Sequence, residues 1–231
     1  MKFGSITTGI IADGLVFNMD AANRACYPSQ NSSGTNLIDS LQLRTGTLGS
    51  NASFDSFLGN GIFDFDGSSN TSFSDNSPTS FPNGNLSSGI TLGCWFNRDT
   101  TTQYQGLISY GTAAVDKQLF LNFSSNATRK LKCGFYGNDF ENASGTTIST
   151  GVWYYGVMTY DGTTRKIYLN GNLDGSDTPS SPNTTLNGTM YLGRVNSHYF
   201  VGQMGPTHIY NRALSASEVL HNYNALKGRF E

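Results

Sequence analysis

A chain of 231 residues in which charged and aromatic side chains each make up 13%, with 27 glycines, has the composition of one large sheet-rich domain with polar turns. The net charge of −2, with no cluster of Lys and Arg, excludes a phosphate-neutralising surface for nucleic acid. No apolar run reaches the length of a membrane span, and residues 1–9 have no apolar core of signal-peptide length, so the expectation is synthesis in a cytoplasm with no secretory route of its own.

Residues 1–14 are small, polar and glycine-punctuated, and they read as an N-terminal arm; residues 15–231 read as one domain. Residues 15–20 predict the first strand, and residues 27–35 a Ser- and Asn-rich loop around Pro28. Asn60-Gly61 marks a turn. In residues 62–66, strict alternation sends Phe63 and Phe65 one way and Asp64 and Asp66 the other. Residues 67–89 are dominated by Ser, Asn, Pro and Gly and predict a long loop with one short strand near Ser72-Phe73.

Residues 90–96 are the strongest core strand of the first half, and strands at 106–110, 118–123 and 131–136 follow at even spacing. Regular short strands with turn signals predict a sandwich or barrel rather than alternating strands and helices. In residues 153–160, Trp153, Tyr155 and Val157 share one face while Tyr154, Met158 and Tyr160 share the other. A strand apolar on both faces is central, with a core beneath it and a loop or a partner above. Asn170-Gly171 is a hairpin turn, because both residues tolerate positive φ and match the twist of the flanking strands. One helix is specified near the C-terminus: Ser215 as N-cap, Glu218 completing a capping box, and Leu214 and Val219 forming a hydrophobic staple. Val219, Leu220, Tyr223 and Leu226 make its apolar face and Gly228 is expected to stop it.

The odd cysteine count (Cys26, Cys94, Cys133) rules out a fully paired framework within one chain, and Cys94 and Cys133 sit in apolar strands as small hydrophobes. The histidines His198, His208 and His221 are isolated, which favours surface or half-buried roles over general-base catalysis. Asp64 and Asp66, at i and i+2 on one strand face, lie about 6.5–7 Å apart, near the separation used in glycoside hydrolysis. They are also the leading metal candidates, with Asp75, Asp161 and Asn70 as further oxygen donors for calcium, though no Asp-x-Asp-x-Asp-Gly loop is present. Sugar binding uses exposed aromatic residues beside Asn, Asp and Gly, and Tyr104, Tyr136, Phe140, Tyr199 and Phe200 have that company.

The C-terminal third carries an ordered set of signatures. Trp153 precedes Tyr160-Asp161-Gly162; then come Tyr168-Leu169-Asn170-Gly171, Leu192-Gly193-Arg194, Phe200 with Gly202 and Met204, and Tyr210-Asn211-Arg212-Ala213-Leu214-Ser215 with Glu218. This order resembles the laminin G-like, concanavalin A-like jelly roll. The resemblance implies an all-β fold: a sandwich of two antiparallel sheets with one short C-terminal helix. A second stretch, Gly14-Leu15-Val16-Phe17-Asn18-Met19-Asp20-Ala21-Ala22-Asn23 with Cys26-Tyr27-Pro28, is similar to the opening of laminin G-like modules in tailed-bacteriophage virion proteins. It departs from them at Asn18 and Met19 and by Cys26 in place of Ser. The fold also hosts glucanases, but the third acid of their Glu-x-Asp-x-x-Glu pattern is missing after Asp66, where Gly67 follows.

Three functions follow from the resemblance. The first is a non-enzymatic structural protein of a tailed-phage virion, in capsid decoration, a fibre or a tail accessory, docked on other virion subunits or on its own copies through residues 1–14. The second is a lectin-like module that binds host surface glycans, and the third is a glycoside hydrolase. No catalytic residue and no organic cofactor is assigned, and calcium and homo-oligomerisation are left open.

Overall fold

The computed structural model describes residues 9–28, 36–41, 45–56, 61–68, 73–75, 86–101, 104–124, 129–180, 186 and 188–231. Among these, the strands in chain order are β1 (Leu15–Met19), β2 (Asn36–Ile38), β3 (Thr45–Leu48), β4 (Ser53–Asp55), β5 (Ile62–Asp66), β6 (Phe73–Asp75), β7 (Ile90–Arg98), β8 (Gly106–Gly111), β9 (Gln118–Phe123), β10 (Leu131–Gly134), β11 (Asp139–Glu141), β12 (Trp153–Tyr160), β13 (Arg165–Leu169), β14 (Asn172–Asp177), β15 (Met190–Leu192), β16 (Arg194–Val195), β17 (His198–Tyr199) and β18 (Val201–Tyr210). One α-helix, α1 (Ala216–Leu226), follows them.

The first sheet runs β14-β13-β12-β7-β18-β5-β4, and β1 also pairs with β18. The second runs β11-β10-β9-β8-β15-β6-β3-β2, and every pairing in both sheets is antiparallel. Strand β18 serves two partners on one side. Val201–Met204 pair with β5 and Thr207–Tyr210 with β1, and the register against β7 shifts between Met204 and Thr207. Pro206 lies in that shift, where its missing N–H leaves no gap in the ladder.

The inter-sheet core follows directly from the alternation. Phe63 and Phe65 of β5, Leu92, Cys94 and Phe96 of β7, Leu119, Leu121 and Phe123 of β9, and Met158 and Tyr160 of β12 all lie buried in it. A second core covers the outer face of the first sheet. Trp95, Tyr155, Val157, Tyr168 and Tyr210 point away from the sandwich and are roofed by Leu214, Val219 and Phe230, with Trp153, Tyr223 and Leu226 at the margin. The roof over β12 is therefore α1 and the residues after it. Trp95 stacks on Phe230 at 4.6 Å, Tyr155 at 5.4 Å and Tyr223 at 5.5 Å between ring centres.

The helix begins as expected. Ser215 Oγ accepts from the Glu218 amide, and Glu218 accepts from the Ser215 amide at 2.8 Å. Its apolar face and its end differ from expectation. Leu220 is 42% exposed, and the buried position is the polar Asn222. Asn222 Nδ2 donates to Tyr210 Oη at 2.9 Å, and Asn222 Oδ1 accepts from the Ile11 amide at 2.8 Å, so both of its polar ends are satisfied. Gly228 does not stop the helix. The chain tightens into a 3-10 turn over Lys227–Arg229, which carries Phe230 back onto Trp95.

Residues 9–14, the described part of the expected arm, lie against this roof. Ile11 O accepts from Tyr210 Oη at 3.0 Å, Gly9 O lies 2.9 Å from His221 Nε2, and Asp13 pairs with Arg212 at 2.9 Å. Residues 1–8 of the arm, the turn residue Asn60, the calcium candidate Asn70, and residues 29–35 and 76–85 of the expected loops lie outside the described residues. The expected strand at 131–136 ends at Gly134, and Tyr136 falls in the turn that follows.

Candidate functional site

The outer face of the first sheet is covered by α1; on the outer face of the second sheet Ser109, Phe120 and Asn122 are also buried, and the partly exposed groups lie around the β16–β17 hairpin. Along β9, Phe120 and Asn122 alternate with Leu119, Leu121 and Phe123 and point away from the core. Cross-strand pairing puts Ser109 and Gly134 beside Phe120, and Gly106 and Lys132 beside Asn122; Glu141 is the next neighbour of Lys132. Tyr191 on β15 lies opposite Ser109 on the same face.

The sequence Leu192-Gly193-Arg194 adds a second layer. Gly193 turns the chain out of β15 at φ 73°, a backbone region open to glycine, and a Cβ there would meet the Phe65 ring at 2.8 Å. Residues 194–199 then form the β16–β17 hairpin, with Arg194 opposite Tyr199 and Val195 opposite His198. This hairpin lies directly over Gly106, where a Cβ would come within 2.1 Å of the Val195 amide nitrogen. Ser109 Oγ pins it by donating to the Arg194 carbonyl at 2.9 Å.

The hairpin gathers the aromatic and cationic groups. The Arg194 guanidinium carbon lies 4.5 Å from the Tyr191 ring centre and 5.1 Å from that of Tyr199. His198 stacks on Tyr104 at 4.9 Å with the rings inclined by 22°. Tyr104 is 39% exposed and holds φ at 54°, a costly region for a bulky residue. Buried Gln105 fixes that stretch through Thr100 Oγ1 at 2.8 Å and the Val201 amide at 3.3 Å. Lys132 is held by Glu141 at 2.6 Å and Asp139 at 2.9 Å. Burial pulls its pKa down, but the two carboxylates outweigh burial and leave it raised. Burial, with nearby Lys132, lowers the pKa of His198 and favours the neutral ring. Asn122 is 5% exposed, and its buried Oδ1 has no hydrogen-bond partner among the described residues.

The residues expected to bind sugar separate into distinct groups. Tyr104 and Tyr199 converge at the hairpin. Tyr136 is also exposed and has φ 42°, but it sits beyond Gly134, at the opposite end of the sheet from Asn122 and Gly106. Phe140 lies opposite Cys133, packs against the core and faces the Arg165 guanidinium at 6.0 Å. The expectation for Phe200 is corrected: it is fully buried between the sheets, against Phe123 and Phe65, because the chain crosses into the core one residue after Tyr199. Arg194, His198, Tyr191, Lys132 and Asn122 were not singled out by sequence. Tyr191, Arg194 and His198 adjoin the Leu192-Gly193-Arg194 turn, the one usable signal; Lys132 and Asn122 carry none.

Asp64 and Asp66 share the outer face of β5, but each has its own local partner. Asp64 accepts from Gln203 Nε2 at 3.2 Å, and the same nitrogen donates to Asp99 at 3.1 Å. Burial raises the Asp64 pKa, and the Asp99 and Asp55 charges add to this. Asp66 accepts from the Ser68 amide at 2.8 Å, and Asp161 accepts from the Thr163 and Thr164 amides of its own turn. Among the described residues, no group of three or more His, Cys, Asp or Glu side chains is placed to hold a metal ion. The three cysteines are free and buried; burial pushes Cys26 up to about 11 and Cys94 and Cys133 higher, as expected of inert thiols. Unlike the surface or half-buried role expected for it, His208 is fully buried beneath the roof of the first sheet.

Solved structures place this architecture. The binding domain of botulinum neurotoxin serotype G aligns with a TM-score of 0.67 and 17% identity over 90% of this chain, which spans 50% of that domain. Domain 4 of a GH43 extracellular arabinanase from Geobacillus stearothermophilus, in complex with arabinotriose, aligns at 0.68 and 16% identity over 90% of this chain and 98% of that one. Trypanosoma rangeli sialidase aligns at 0.61 and 16% identity over 91% of this chain and 33% of the sialidase. No curated protein matches by sequence. At such identities the structural likeness establishes fold alone, while a family model matches residues 67–220. The chain belongs to the concanavalin A-like lectin/glucanases superfamily.

Proposed function

We propose that this protein is a non-catalytic jelly roll that binds glycans on the outer face of its second sheet. The observation that carries this reading is the grouping, at one hairpin, of Tyr104 with His198 and of Arg194 with Tyr191 and Tyr199. Aromatic faces pack against sugar C–H surfaces, and fixed amides and charges at their margin accept and donate to hydroxyls. The arabinanase domain of the same fold, solved with arabinotriose, lends support. Hydrolysis is disfavoured because Asp64 and Asp66 are engaged with Gln203 and Ser68 and lie on the other sheet from this aromatic face. A glycan array with the wild type and with Tyr104→Ala and Tyr199→Ala tests the reading. Binding that both substitutions weaken supports it, and no binding to any sugar overturns it.

The setting we propose is display on a tailed-phage virion. The likeness of residues 14–28 to the opening of laminin G-like modules in tailed-bacteriophage virion proteins supports it. Residues 1–8 would dock on other virion subunits or on copies of the chain. Mass spectrometry of purified particles, with and without a deletion of residues 1–8, tests this. Absence of the full-length chain from particles, or unchanged incorporation of the deletion, overturns the corresponding part.

A further inference from the structure

We propose that Arg194 makes the glycan face selective for sugar acids, with the carboxylate of the ligand in the guanidinium fork between Tyr191 and Tyr199. This inference rests on the glycan-binding reading above.

The state of Arg194 is the first argument. Arg165, Arg212 and Arg229 each direct their terminal nitrogens at a carboxylate, on Asp177, Glu218 and Asp20 respectively. Arg194 is half-buried and held as firmly, between two tyrosine rings and through Nε to the Asn196 carbonyl at 2.5 Å. Yet Nη1 and Nη2 of Arg194 meet no carboxylate among the described residues. A guanidinium plane that is already oriented and partly stripped of water loses little freedom on taking a bidentate anion.

The surrounding charges supply the second argument. Lys132, the other cation of this face, already carries two carboxylates, so it has no charge left to offer a ligand. Asp139 and Glu141 instead repel an anion from the β10–β11 side, and His198 is kept towards its neutral form by burial. One uncompensated cation suits one carboxylate, not a polyanion, which accords with the net charge of −2. The remaining exposed group at this hairpin is neutral: the ring of Tyr104, 39% exposed beside His198.

Isothermal titration with matched sugars tests the proposal: oligogalacturonate against its methyl ester, sialyllactose against lactose, and a sulfated galactoside as the alternative anion. The expected result is at least about ten-fold tighter binding of one acid than of its neutral partner, weakening with salt. Arg194→Gln should erase that preference while neutral sugars still bind, and Arg194→Lys, which keeps the charge but not the fork, should lose most of it. Equal binding of acid and neutral partner overturns the inference and leaves the glycan reading standing. A preference for the sulfated sugar alone overturns the carboxylate assignment, and binding of none overturns both. The matched pairs are compared on the wild-type chain, so the result does not depend on either variant folding.

Discussion

Asn170 hydrogen-bonds Tyr155 twice: its amide donates to the Tyr155 carbonyl at 2.9 Å, and its side-chain Oδ1 accepts from the Tyr155 amide at 2.8 Å. One turn residue thus extends the β12 ladder past the last regular pair, Gly156 with Leu169, while holding φ at 49° beside Gly171 at 81°. Asn170→Gly keeps the turn but strands the Tyr155 amide, and is expected to cost about 1–2 kcal/mol. Asn170→Ala adds the strain of a Cβ at positive φ, roughly 1 kcal/mol more. Denaturant midpoints of the two variants separate the contributions, and equal midpoints would show that the lost side-chain hydrogen bond carries the whole effect.

The capping box ties α1 to the first sheet, since Glu218 also takes both terminal nitrogens of Arg212, at 2.7 and 3.0 Å. Ser215→Ala is expected to lower stability by about 1 kcal/mol. The Arg212 guanidinium is the main cause that depresses the Glu218 carboxyl from its ordinary 4.5 to about 2. The stabilisation from Glu218 is therefore present above about pH 4.5 and is lost as pH falls through about 2. Glu218→Gln should flatten the acid limb of a melting-temperature profile in that window.

His208 supplies a second pH dependence at higher pH. It is buried under the roof, with Nδ1 3.1 Å from Asn18 Oδ1, and burial lowers its pKa from 6.5 to about 4; Asp20 opposes this and Arg229 adds to it. Between these values the unfolded chain holds a proton that the folded chain refuses, so stability falls as pH drops from about 6.5 to about 4, on the order of 3 kcal/mol in all. Thermal melts of His208→Gln should lose that slope. An unchanged slope would assign it to other groups.

Two truncations separate docking from folding. Deleting residues 1–8 should leave the melt unchanged. Deleting residues 1–13 removes Ile11, strands the Asn222 and Tyr210 side chains under the helix, and should destabilise by about 1–3 kcal/mol. Equal melts would show that Ile11 adds nothing to the roof.

Gly106→Ala probes the hairpin over the candidate site. A methyl group at this position meets the Val195 amide and the Arg194 backbone, so β16 must lift. Glycan binding is expected to fall at least about ten-fold, with a stability loss of about 1–3 kcal/mol. Undiminished binding would place the site away from residues 194–199.

Local signals in the chain determined much of this protein. The alternation of Phe63 and Phe65 with Asp64 and Asp66, the two apolar faces of β12, the Asn170-Gly171 turn and the Ser215–Glu218 box all appear as read, because each depends on backbone geometry within a few residues. Periodicity could not say what covers an outward face. Asn222 rather than Leu220 turned inward, because the face of α1 was decided by Ile11 and Tyr210, 211 and 12 residues away in sequence. The site depends still more on tertiary structure. Tyr104 and His198 stack across some ninety positions only because Gly106 lets the β16–β17 hairpin lie on β8. Tyr199 and Phe200 are identical in composition signal, yet one lies at the β16–β17 hairpin and the other fills the core. That choice belongs to long-range register between strands, a property no local window of sequence contains.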